Sequence, residues 1–118
     1  MMNYEINSTY LSVHYGENPA ALQKAFDSFL NNTRLNWVEV AQLMEHGQKS
    51  KAVEKLNALQ PAVKKVGFTE LAGKITQFSQ AIRMNLLGPE ATQIRYETID
   101  SEIAAARSRV KTELSCLL

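Results

Sequence analysis

The chain has 118 residues, 45% of them apolar and 21% charged, with five glycines and three prolines; this suits one globular domain over 1–118 and excludes a disordered or collagen-like chain. Its 13 basic and 12 acidic residues leave a formal charge of +1, so no global field draws it to nucleic acid or to an anionic membrane. No apolar run has the length of a signal core or a membrane span, and the single cysteine, Cys116, has no disulfide partner, so the expectation is a cytoplasmic protein.

Residues 1–17 carry Tyr4, Ile6, Tyr10, Leu11, Val13 and Tyr15 without a long period, and Asn7 or Ser8 can cap a short helix ending at Gly16. Segment 18–47 opens with Asn18 as N-cap and Pro19 at the first helical position, then places Leu22, Phe26, Phe29, Thr33, Trp37, Val40 and Met44 three and four apart. His46 and Gly47 mark its end.

Segment 49–66 repeats the pattern with Ala52, Leu56, Leu59, Val63 and Val66, while Lys49, Lys51, Lys55, Lys64 and Lys65 take the other sides. Pro61 interrupts it, because its ring clashes with the carbonyl of Asn57; a kink, or a fresh helix start, is expected there. Segment 69–85 takes Thr69 as N-cap and aligns Leu71, Ile75, Phe78 and Ile82, with Gly73 unfavourable inside. Segment 89–117 begins at Pro89, after Gly88 as a helix terminator, and carries Ile94, Ile99, Ile103, Ala106, Val110, Leu114 and Leu117. Short connections and single apolar stripes predict an all-α, antiparallel up-down-up-down four-helix bundle with a short N-terminal capping segment.

The residues offer little chemistry. His14 and His46 stand a helix apart with no ligand at metal spacing, and Glu39, Glu45, Glu54 and Glu113 have no histidine in step, so no metal, cofactor or catalytic residue is assigned. Gly67 and Gly88 stand alone and form no phosphate loop, and Trp37, Phe26, Phe29 and Phe78 fall on core stripes.

The string from Lys55 to Gly67, Lys-Leu-Asn-Ala-Leu-Gln-Pro-Ala-Val-Lys-Lys-Val-Gly, following the long first helix and the Gly47-Gln48 turn, resembles the histidine-containing phosphotransfer (HPt) domain. In that family the helix carries His-x-Leu-Lys-Gly-Ser and ends at a glycine. Gly67 stands ten positions after Asn57, as the family's glycine follows its histidine. On this register Leu59 matches the motif leucine, Ala62 replaces the serine, and Leu71, Ile75 and Phe78 fall where the next family helix packs. Asn57 stands for the phospho-accepting histidine, Gln60 for the lysine and Pro61 for the glycine, so the nucleophile is missing.

The resemblance implies a non-catalytic module of phosphorelay signalling that docks a response-regulator receiver domain or a sensor histidine kinase. Its docking stripe would be Ser50, Val53, Glu54, Asn57, Gln60, Pro61 and Lys64, with Val53 and Pro61 as apolar points. Two alternatives stand beside it: an active phosphocarrier using His46 or His14, and an unrelated bundle that self-associates through Leu86, Leu87, Leu117 and Leu118.

Overall fold

The structure, a computed structural model, describes Leu11, Tyr15, Gly16 and residues 18–117. The proposed caps Asn7 and Ser8, together with His14 and Leu118, lie outside the described residues, as does the side chain of Leu117. The described chain forms four helices and no strand: α1 over Pro19–Glu45, α2 over Lys49–Lys65, α3 over Thr69–Arg83 and α4 over Pro89–Leu117. Each helix packs on the next, and α4 closes back on α1, so the four surround one core as an antiparallel bundle. No helix among the described residues is long and apolar enough to cross a membrane.

The local chemistry of the ends accounts for most boundaries. Asn18 accepts the Ala21 backbone N–H through its side-chain oxygen at 3.1 Å, and Pro19 follows where no amide is needed. Gly47 (φ 71°) and Gly67 (φ 93°) take the left-handed conformation that ends α1 and α2. His46 caps α1 and donates from Nδ1 to the Gln42 carbonyl at 2.7 Å.

Two caps differ from expectation. Phe68 is the N-cap of α3 and Thr69 its first helical residue, because the buried Phe68 ring fixes the backbone there without a side-chain cap bond. Gly88 does not end α3; Asn85 does, at φ 54°, a conformation that asparagine tolerates, and the Gly88 carbonyl instead receives the Thr92 amide at the start of α4. The helix α2 runs unbroken through Pro61. Proline has no N–H, so the Asn57 carbonyl forgoes its intrahelical partner, a loss softened by the exposure of Asn57 to water.

Phe26, Trp37, Leu56, Leu59, Phe78, Ile103 and Val110 are all buried, as their stripes require. Ile94, placed on the α4 stripe by spacing, is exposed, because it points away from Ile99 and Ile103 around the helix. Trp37 joins three helices: it stacks on Tyr96 at 4.3 Å between ring centres, meets Phe78 at 6.3 Å, and donates from Nε1 to Asp100 at 2.9 Å. Burial, and next to it the Asp100 charge, push the Tyr96 hydroxyl up to about 12.

One charge sits on the inward stripe of α4. Glu102 is 1% exposed and accepts from Lys74 Nζ at 2.8 Å, while the lysine side chain remains 43% exposed. The pair ties α3 to α4 where an apolar residue would otherwise stand.

Lys74→Met is therefore expected to destabilise the fold by about 3 kcal/mol in denaturant titrations, since it removes the ammonium paired with a buried carboxylate, and Lys74→Met with Glu102→Leu should recover most of that loss. Because the Tyr96 hydroxyl is raised above its value in the unfolded chain, near 10, its contribution is intact at lower pH and is lost as pH climbs from about 10 to about 12. Tyr96→Phe should flatten that alkaline decline in melting temperature; an unchanged slope would place the cause elsewhere.

Candidate docking face on the second helix

The residues of the stripe follow from the α2 register. Ser50, Glu54, Asn57, Pro61 and Lys64 are exposed and Gln60 is half-buried. Val53 is not an exposed apolar point: at 9% exposure it belongs to the core cluster. Three residues turn a helix by about 300°, which leaves Val53 rotated from Ser50 by about 60° toward the buried side. The exposed face therefore narrows to Ser50, Glu54, Asn57, Pro61 and Lys64, with Pro61 as its apolar point.

Asn57 lies at the middle of this face and at its seam with α3. Its side-chain oxygen accepts the Ser79 hydroxyl at 2.9 Å, and Ser79 is itself buried. The amide thus satisfies a buried hydroxyl while its edge stays open to solvent. Spacing alone could not reveal this partner, because Ser79 belongs to the following helix.

Charge along α2 is uneven. Lys55 pairs with Glu39 at 2.6 Å and Lys49 donates to the Asn85 side chain at 3.1 Å. Lys64 and Lys65 occupy the last turn, where positive charge complements the carbonyl end of the helix, and have no ion-pair partner among the described residues.

On the other flank of Pro61 the surface is concave. Ala21, Ala25 and Ser28 of α1 face Ala58, Pro61 and Ala62 of α2 across a groove of about 550 Å³, floored by Phe29 and bounded by Tyr15, Lys24 and Lys65. Small side chains four apart on both helices leave this depression, and that signal, Ala21 with Ala25 and Ala58 with Ala62, was legible in the sequence. Tyr15 closes one end by donating its hydroxyl to the Lys65 carbonyl at 2.8 Å. His46 caps the C-terminal end of α1, whereas this groove is built on the N-terminal part of that helix. Among the described residues, no three His, Cys, Asp or Glu side chains gather as a metal site.

Removing the Asn57–Ser79 hydrogen bond should matter to folding, and the cycle Asn57→Ala, Ser79→Ala and the double variant is expected to give a coupling of about 1 kcal/mol. Strictly additive denaturation energies would mean that the two side chains do not pair. Comparison of the chain with protein-family profiles, with curated proteins and with solved structures finds no match.

Proposed function

We propose that the chain is an HPt-like docking module of phosphorelay signalling, which binds a receiver domain or a sensor histidine kinase and carries no phosphoryl group. The observation behind this reading is that Asn57 lies mid-helix at the solvent face; on the register of the resemblance it stands for the family's histidine. The amide nitrogen of Asn57 shares its lone pair with the carbonyl and is no nucleophile toward an acyl phosphate, whereas an imidazole nitrogen is one. Gln60 offers no positive charge to a phosphoryl oxygen, and the ring of Pro61 takes the space that the family's glycine leaves to its partner.

Docking needs less than transfer. An exposed helix face with one apolar point, a concave apolar flank and cationic ends at Lys64, Lys65 and Lys24 suits a partner whose phosphorylation pocket is lined with carboxylates. The lysines would speed encounter, and the groove beside Pro61 would seat apolar side chains.

Binding and transfer should therefore separate. Incubated with a phosphorylated receiver, the wild-type chain is expected to bind it and remain unlabelled. Asn57→His alone should not restore transfer, while Asn57→His, Gln60→Lys and Pro61→Gly together should give trace acid-labile label. Label on the wild type that survives Asn57→Ala and vanishes with His46→Ala would overturn the proposal in favour of an active carrier.

A further inference from the structure

The turns that end α2 and α3 are built alike. In the first, Gly67 N–H donates to the Lys64 carbonyl and Phe68 N–H to the Val63 carbonyl; in the second, Asn85 N–H donates to the Ile82 carbonyl and Leu86 N–H to the Ala81 carbonyl. Both are Schellman caps, in which the residue after the left-handed position normally folds its apolar side chain back onto its own helix. Phe68 is turned inward against the Phe29 ring and is 1% exposed; Leu86, in the equivalent place, is 67% exposed. The backbone of the second turn is held by the Lys49 ammonium on the Asn85 side chain, so Leu86 is presented from an anchored loop. Met84, two residues earlier, is also exposed.

Beside this projecting pair lies a hollow of about 390 Å³ at the same end of the bundle, walled by Met44, Leu87, Pro89 and Tyr96 and rimmed by Glu45 and Lys49. An apolar knob next to an apolar hollow, with one charge of each sign on the rim, is self-complementary. In a two-fold contact the knob of each copy meets the hollow of the other, and Glu45 of each faces Lys49 of the other. A purely acidic or purely basic partner would meet one of these charges as a like charge, whereas a second copy meets both as opposites. Glu45 has no ion-pair partner among the described residues, so its charge is free for such a contact.

We infer that this chain forms a two-fold symmetric homodimer through the α3–α4 turn, with Leu86 of each copy seated in the hollow between α1 and α4 of the other. The contact is small and made of one end of the bundle, so the dimer is a weak, exchanging one. This inference does not rest on the docking role of α2.

Sedimentation velocity of the full chain across a concentration series should show a monomer–dimer equilibrium. Leu86→Asp, checked for an unchanged helical signal and melting curve at low concentration, should weaken association at least tenfold; Leu35→Asp, an exposed leucine on the outer side of α1, should leave it unchanged. Glu45→Lys should weaken the dimer, and adding Lys49→Glu should recover it in part, since that change also gives up the bond to Asn85, a rescue that depends on the pair facing each other across the two-fold. Should Leu86→Asp fail to fold, Met84→Ser and the charge exchange carry the test. A single monomeric species up to about 1 mM, a dimer insensitive to Leu86→Asp, or one abolished by Leu35→Asp would overturn the inference.

Discussion

The indole of Trp37 holds the fourth helix to the rest of the bundle. Helices α1, α2 and α3 share broad apolar seams, but the inward stripe of α4 is thin: Ile99, Ile103, Ala106 and Val110, with Glu102 among them. For a helix of 29 residues that is a sparse set of fully buried apolar anchors. Its position is set by directional contacts instead. Asp100 receives the Trp37 N–H, Tyr96 stacks on the indole and donates to the Trp37 carbonyl at 3.0 Å, and Arg107 donates to the Leu30 carbonyl at 3.0 Å. Arg107 Nε on α4 and the Thr33 hydroxyl on α1 are buried without hydrogen-bond partners among the described residues, each a penalty. Stability is therefore unevenly distributed, and α4 is the helix whose docking depends most on a few polar atoms.

The order, type and approximate ends of the helices were readable because each stripe repeats at helical spacing and Asn18–Pro19, Gly47 and Gly67 punctuate it. What escaped the sequence were relations between helices. Glu102 reads as a surface glutamate until Lys74 comes across from α3 to meet it, and Val53 reads as an outward residue until the α2–α3 seam covers it. Ser79 was invisible as the partner of Asn57 for the same reason. The α3 segment ends close to the expected position 85, but the residue that ends it differs: glycine is the strongest signal for a left-handed residue, and here an asparagine three positions before Gly88 takes that role.

Under the proposed reading, the α2 face would keep a shape suited to docking while lacking the groups for transfer. Proline inside a helix normally breaks it, yet α2 continues, since Leu59 and Val63 on either side of Pro61 are buried and hold the helix against its neighbours. The ring then stands rigid at the edge of the alanine-lined groove, adding apolar surface without side-chain entropy to lose on binding. Asn57 is likewise committed to structure, its oxygen spent on Ser79. Asn57 and Pro61, two of the departures from the motif of the resembled family, are thus compatible with packing.

The proposed dimer contact overlaps the docking face only at the first turn of α2, and the extent of that overlap decides whether the two compete. Lys49 borders the hollow near the α3–α4 turn, and Lys64 ends the docking stripe fifteen residues later, a rise of about 22 Å along the helix. A dimer joined through Leu86 would cover the first turn of α2 around Ser50 and leave Pro61, Lys64 and the alanine groove open. Two docking faces would then be carried on one particle, pointing away from a common two-fold axis. For a partner that is itself dimeric, the second docking event would be intramolecular, and a weak face would gain affinity from effective concentration without any new contact. For a monomeric partner the dimer would change nothing but stoichiometry. Self-association at the Leu86 end is in that sense the feature that would let a shallow, non-catalytic face discriminate between partners by their valence.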